Sequence, residues 1–435
     1  MLERLKQPFT LKLPQIGGGR SAGTHHMAGG FGAHHPSRPV VGLDIEPGQV
    51  VAATVRIDGA LRIDRAVGFP VDPAVMRDGE VSDVEALTAA LSSLFAQTGF
   101  DRRVRIGIAN QRIVVRRLEL PATLGADELE VAVRFKAQDE VPMPLDTAVM
   151  DYHVVGVAET PNGPRQIVVV VAARREMVDR VVAAARGAGL RVEGVDLSAF
   201  AMVRALYPGP RAAEEPVVYL GVSGLTNLAI ADGTDVQFTR VLGGGIEEIV
   251  AEVAQRCAVP IADARALVGR AELDDPGLKS APRPPPAIEP AIDELGAIGA
   301  ESPAFGEEPP LESSIPPNEA PSIAPKPSAP SAGGKGGDQQ AAASVVVRDG
   351  IRRIAAEVRN SIEFHHSFES GVVVSGVILC GSAVDIPGFD AALARDLNMT
   401  VTSRVVPEAV PGATGDVPAS RVTIAAGLAV EEVPS

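Results

Sequence analysis

VVGLDIEPGQVVAATV, starting at Val40, and VVYLGVSGLTNLAI, starting at Val217, each read as strand, glycine-containing tight turn and strand, and they align at a constant offset of 177 residues. β-Branched runs on either side of a glycine are a hairpin signal, because glycine reaches the positive φ that a tight turn needs. A single such hairpin says little. Two at a fixed offset say that one half of the chain repeats the other. The segments downstream of the second copy add weight. TRVLGGGIEEIVAEVAQRC (Thr239 to Cys257) runs from strand through three glycines into a helix, and VILCGSAVDIPGFDAALARDLN (Val377 to Asn398) sets Gly381 and Ser382 between a buried strand and another helix.

Outward from the hairpins the alternation continues. Val40 to Ile45, Val50 to Ile57, Arg103 to Ala109, Ile113 to Leu120, Gln166 to Ala172, Val217 to Val222, Leu228 to Asp232 and Val372 to Leu379 read as strands bounded by Gly, Pro or Asp. Helical spacing marks Val84, Leu87, Leu91 and Leu94, then Met177, Val178, Val181 and Val182, then Ile351, Ile354, Ala355, Val358 and Ile362. The fold class is mixed α/β.

At roughly 150 residues per domain, 435 residues correspond to about three compact units, and 46% hydrophobic residues are enough for several cores. The longest apolar runs, Ile167 to Ala173 and Val372 to Val374, fall far short of the roughly 18 to 20 residues that span a bilayer. Met1 to Gln15 scatters Arg4, Lys6 and Lys12 among its leucines and builds no secretory signal, so the expected compartment is the cytoplasm. Cys257 and Cys380 can make at most one bridge and cannot supply a four-thiolate zinc site. Net charge is -15 with no Trp and 3% aromatics, which argues against phosphate tracking and base stacking, hence against nucleic acid.

Two stretches break the alternation. Residues 1 to 39 carry +4, Gly17 to Gly19 and the pairs His25-His26 and His34-His35 without apolar periodicity, and read as a disordered tail; the histidines have no carboxylate support for a metal. Residues 281 to 340 hold 14 of the 36 prolines, and 271 to 344 reads as a disordered, acidic, Pro-rich insertion, with periodicity resuming at Val345.

Duplicated hairpins are how actin-like and sugar-kinase folds hold a nucleotide. Each turn aims backbone N–H groups at phosphates, and an acid ending the first strand holds the metal through water. On that pattern the residues facing ATP and Mg²⁺ are Asp44, Gly48 and Gln49 in the first hairpin, Ser223, Gly224 and Thr226 in the second, Gly244 and Gly245 with Glu248 toward the ribose, and Gly381 with Ser382. Ordinary strand-to-helix punctuation by glycine is the competing explanation, and the residues alone leave both open.

The ordered blocks resemble the PilM family of type IV pilus assembly proteins, FtsA-like members of the actin fold. They are VGLDIEPGQVVAATV (Val41 to Val55), ELEVAVRFKAQDEVPMPLDTAVMDYHVV (Glu128 to Val155), EGVDLSAFAMVRAL (Glu193 to Leu206), the second hairpin with its three glycines, IRRIAAEVRNSIEFHHS (Ile351 to Ser367) and CGSAVDIPGF (Cys380 to Phe389). The charged helix running into VPMPLD and DYHVV is the most specific, being similar to the family's small extra subdomain. The resemblance implies a two-lobed actin-like fold: residues 40–80 plus 195–215 as the first core domain, 81–194 as the extra subdomain, 216–270 plus 345–430 as the second lobe. It also implies a scaffold at the inner-membrane platform, cytoplasmic and held to the membrane by a partner. That partner is the cytosolic N-terminal peptide of a bitopic PilN-like membrane protein, with pilus ATPases, the platform protein and self-assembly as further contacts. The peptide is expected at the join of the extra subdomain with the first core domain, at Leu118 to Pro121 and Val141 to Tyr152, with Leu118, Pro121 and Tyr152 as contact residues.

The chemistry departs from that family. Its first loop usually reads D-I-G followed by small hydroxyl residues, whereas Glu46 and Pro47 stand here, one adding charge beside would-be phosphates and the other deleting an N–H donor. Gly221 takes the place matched to Asp44, where the family keeps an acid. Phosphoryl transfer depends on positioned charge around Mg²⁺, so the expectation is weak or absent ATP binding and no catalysis. Asp196 is expected to cap the helix from Ser198, His365 and His366 to be a structural pair, and Asp139-Glu140 and Glu247-Glu248 to point apart on their helices. An active actin-like ATPase or sugar-kinase-type phosphotransferase is the alternative from another class. An FtsA-like division anchor would want a basic amphipathic C-terminal helix in place of the closing AVEEVPS.

Overall fold

The computed structural model describes residues 40–161, 163–207, 215–273, 335–368 and 373–430. The expected tail with its histidine pairs and the proline-rich part of the expected insertion lie outside them.

The first lobe opens with a three-stranded antiparallel meander, β1 (Val41–Glu46), β2 (Gln49–Asp58) and β3 (Ala60–Pro70), followed by the two-residue strands β4 (Met76–Arg77) and β5 (Glu80–Val81). Helix α1 (Val84–Thr98) is set by local chemistry: the Asp83 side chain accepts from the Ala86 N–H, Leu87, Leu91 and Leu94 form the buried stripe, and Gly99 ends it in the left-handed region. Then comes β6 (Arg103–Ile108), parallel to β1.

A small unit is inserted next: β7 (Val114–Pro121), α2 (Ala126–Glu140), β8 (Ala148–Thr160) and β9 (Gly163–Arg174), with strand order β7-β9-β8. It is smaller than the expected 81–194. Residues before Ile108 and after Arg174 return to the first lobe, as α3 (Arg175–Gly187), β10 (Arg191–Leu197), which extends the main sheet parallel to β6, and α4 (Ser198–Leu206).

The second lobe repeats the plan. β11 (Val217–Val222), β12 (Thr226–Asp232) and β13 (Asp235–Leu242) form the meander; α5 (Ile246–Cys257), α6 (Ile261–Val268) and α7 (Lys335–Phe368) follow; then β14 (Val377–Cys380), α8 (Phe389–Leu397), β15 (Val401–Ser403) and α9 (Thr423–Ala429). The sheets run β3-β2-β1-β6-β10 and β13-β12-β11-β14-β15, the same order built twice, which is the duplicated, two-lobed actin-like fold. The 177-residue offset holds for the first strands only. Asp44 faces Val51 while Gly221 faces Asn227, so the second strands are offset by 176 and the first turn is one residue longer.

Three boundaries move. Helix α7 begins at Lys335, ten residues before the expected resumption, because Ala343, Val346 and Val347 already pack on the second-lobe core; Ala271 and Leu273 are buried there too. β14 begins at Val377, late in the expected Val372 to Leu379 run, whose first residue lies outside the described residues. Residues beyond β15 do not stay with the second lobe: Val406, Ala413, Val417, Val422 and Ile424 join the first-lobe core, and α9 packs on β1, β2 and β6. In return α4 packs on β11, β12 and β13 of the second lobe. All nine residues of α4 and all seven of α9 are buried, the pattern of helices enclosed on every side, with Arg204 of α4 paired to Asp196. Where they meet, a side chain on Gly427 would begin 1.9 Å from the Ala201 carbonyl, so only glycine allows the approach.

Candidate functional site

The two hairpin turns meet across the cleft between the lobes. The first turn, Pro47-Gly48, has Gly48 at φ 88°, and it brings Glu46 against the second turn, where Glu46 Oε2 accepts the Gly224 N–H at 3.3 Å. Burial pushes the Glu46 carboxyl from the usual 4.5 to about 7, with the Gly224 bond and Arg421 pulling the other way and Glu247 adding to the rise. Asp44, 6% exposed, is raised well above the ordinary carboxylate range by burial first and by Glu46 second. Gln49 turns aside from the turn, its Oε1 accepting from Arg421 Nη1 at 2.9 Å. Arg421 also lies 3.7 Å from Glu247 Oε1, and Arg265 holds Glu247 bidentately at 2.7 and 2.6 Å.

On the second lobe the expected residues do come together, and they bond one another. Thr226 Oγ1 donates to the Gly244 carbonyl at 2.9 Å, the Ile246 N–H to the Ser223 carbonyl at 2.7 Å, and the Ser382 N–H to Ser223 Oγ at 3.1 Å. A side chain on Gly245 would begin 2.3 Å from the Ser223 carbonyl, and one on Gly381 2.6 Å from that of Val222. The glycines thus close three turns against each other. The Glu248 carboxylate lies over Gly244.

As a nucleotide site, these groups fit poorly. Gly224 gives its N–H to Glu46, Pro47 has none, and the place matched to Asp44 is filled: a side chain on Gly221 would meet Met202 Sδ at 2.8 Å and Cys380 Sγ at 3.4 Å. Behind Asp44 a small, partly open cavity of about 20 Å³ is lined by Gly107, Ile108, Met177, Ser198, Leu225 and Asn227, mostly apolar walls.

Asp196 is not the cap of α4. Its carboxylate is fully buried, accepts the Leu197 N–H at 2.7 Å and pairs with Arg204, which also donates to the Gly427 carbonyl at the α4–α9 contact. Burial raises its pKa despite Arg204. His365 is buried against Phe238 and His366 exposed, so the two do not face one site. Cys380 is buried and free, Cys257 free and half-buried.

In the small unit, strand alternation sorts the side chains. Leu118, Leu120, Val168 and Val170 pack beneath Leu129 and Val133 of α2, with Met150, Tyr152 and Val154 at the margin, while Val149, Val169, Val171 and Ala173 face the first lobe. Leu118, 3% exposed, is therefore the centre of a small core and not a groove contact. Tyr152 is half-buried beside the acidic first half of α2, and Pro121 is exposed at the end of β7, on the opposite edge of the sheet. Sequence reasoning missed Arg421, remote in the chain from Gln49, and Met202, which sits on a helix of the other lobe from Gly221.

The profile of the family described as type IV pilus assembly protein PilM matches residues 42–265. Among solved structures, a PilM–PilN type IV pilus biogenesis complex superposes with a TM-score of 0.61 at 19% identity, covering 91% of this chain and 98% of that one. The ethanolamine utilization protein EutJ from Carboxydothermus hydrogenoformans gives 0.48 at 13% identity over 91% and 90%, and MreB5 of Spiroplasma citri bound to ADP 0.44 at 11% over 90% and 95%. At 19% identity the likeness to the PilM–PilN complex speaks to the fold.

Proposed function

The chain belongs to the family of the type IV pilus assembly protein PilM, and from that footing we propose that it is a non-enzymatic scaffold of the pilus assembly platform. Its partner is the cytosolic N-terminal peptide of a bitopic PilN-like membrane protein, which holds it at the inner face of the cytoplasmic membrane. No helix among the described residues is long and apolar enough to cross a membrane, and in this reading the partner supplies the attachment.

The observation that supports this reading most is the free edge of β8. In the order β7-β9-β8 both outer strands have one open side. That of β7 is engaged with the second lobe through Arg117 and Asp235, 3.0 Å apart, and ends on Pro121, which has no N–H. β8 is 13 residues long with Tyr152 on it; Arg175 takes its Ala148 carbonyl and Asp151 its Tyr152 N–H, and the rest of its outer side pairs with no strand among the described residues. An extended peptide pairs along such an edge, main-chain bonds giving affinity and side-chain pockets giving choice.

Nucleotide binding is weak or absent in this reading, so ATP with Mg²⁺ at millimolar concentration stabilises the fold by less than about 1.4 kcal/mol. The partner is tested by fluorescence anisotropy: a synthetic peptide from the N-terminus of the bitopic partner binds the purified chain at micromolar strength, about -8 kcal/mol. Tyr152→Ala weakens it by about 2 kcal/mol while leaving the melt intact. No binding by any such peptide sinks the scaffold reading and leaves the fold untouched.

A further inference from the structure

Two ties made by the chain itself cross the cleft. One is the Glu46 carboxyl on the Gly224 N–H; the other runs from Gln49 through Arg421 to Glu247 and Arg265. Each starts on the first hairpin and ends on the second lobe. A turn N–H aimed into a cleft is an anion donor, and a carboxyl is the acceptor it meets here. Pro47 and Glu46 also touch the second turn directly, since a side chain on Gly224 would begin 3.3 Å from Pro47 Cδ and 3.4 Å from Glu46 Cβ. Turn length agrees with this closeness: four residues separate the paired Ile45 and Val50, three the paired Val222 and Thr226, so the tip that carries the carboxyl is the longer one.

We propose that the cleft is self-liganded: Glu46 takes the place that the phosphate of an external ligand takes in a two-lobed fold of this kind, and with the Gln49–Arg421–Glu247 bridge it holds the lobes closed on a group of the chain itself. The contact is autoinhibitory toward anions. It also frees the closed form from any dependence on nucleotide, which would let a scaffold keep one shape whatever the ATP level. This self-liganding deepens the nucleotide-poor reading of the cleft and rests on that reading, but not on the partner.

Spin labels placed on exposed positions of the two lobes, Ala96→Cys on α1 and Ala262→Cys on α6 in a Cys257→Ser chain, report lobe separation by pulsed dipolar spectroscopy. The expected result is one narrow distance, unchanged by Mg·ATP or inorganic phosphate. Glu46→Ala with Arg421→Ala lengthens and broadens it, whereas Glu46→Gln, which keeps an acceptor of the same reach, leaves it as it was. A parent chain whose distance moves on adding Mg·ATP overturns both the self-liganded cleft and the nucleotide-poor reading. A double variant that keeps the narrow distance overturns the clamp alone. If the double variant loses its cooperative melt, Glu46→Gly decides: inorganic phosphate raises its melting temperature but not that of the parent, and the absence of that gain counts against the proposal.

Discussion

A side chain on Gly221 would begin 2.8 Å from Met202 Sδ, so a residue of the second lobe is kept small by a helix of the first. An acid cannot simply be put back there. Gly221→Asp buries a carboxylate between two sulfur atoms and is expected to cost about 3 kcal/mol or more, through overpacking and an unpaired charge. Urea denaturation measures it, and adding Met202→Ala recovers part of the loss; an unchanged midpoint in the single variant would show that the space exists.

Stability should fall as pH rises. A carboxyl whose folded value lies above its unfolded one is neutral in both states below about 4.5, so it contributes nothing there. Between 4.5 and about 7 the unfolded chain ionises Glu46 while the folded chain keeps it protonated, and the loss is complete above that. Asp44 shifts in the same direction. For Glu46 the loss is at most about 3 kcal/mol, reduced by the water that reaches a half-buried group. Melts from pH 5 to 8 should show the decline, flatter in Glu46→Gln. A rise with pH over that range contradicts the environment described.

Gly427→Ala should be severe for so small a change. Its methyl would start 1.9 Å from the Ala201 carbonyl, a backbone atom that cannot swing aside. Separating α4 from α9 also strains the Arg204 bond to the Gly427 carbonyl. Overpacking together with a disturbed buried network sets the expected cost at about 3 kcal/mol or more, read as a lowered midpoint in urea. Gly336→Ala, a helical glycine with nothing within 4 Å of its added carbon, is the control for the change of residue alone.

Deletions should have a sharp limit at Lys335. Replacing 275–334 by a short flexible linker leaves the contacts among the described residues in place, and linker length itself costs only about 0.6 kcal/mol per doubling. Extending the cut to 340 removes the Gln340 bonds to the Leu267 and Arg270 carbonyls and the Gln339 bond to that of Cys257. The longer deletion should melt lower by the equivalent of about 1 to 3 kcal/mol. Equal melting temperatures would show that this end of α7 holds nothing.

The duplicated hairpins were legible because their signals are local: alternation of two and a glycine at each turn. The stripe of α1 was legible for the same reason, with Asp83 and Gly99 marking its ends. β15 and α9 were not, one being three residues long and the other apolar all round with no polar face to set a period. At the cleft, Asp44 and the glycines of the second lobe could be found from spacing. That the Gly224 N–H ends on Glu46, and that Arg421 reaches Gln49, are facts of tertiary placement between residues 178 and 372 positions apart. Leu118 was misplaced because alternation tells which residues share a face and not what covers it; α2 covers this one.

The exchange of α4 and α9 also sets an order of events on the ribosome. β1 is among the first described strands to be made, yet its outer face is closed by α9, from near the end of the chain, and Arg105 on β6 waits for the Leu428 and Val430 carbonyls. Domains that fold as they emerge usually do so from the N-terminus. Here the first lobe holds an unsealed sheet until α9 has emerged, and during that interval its exposed apolar face is what a chaperone would meet.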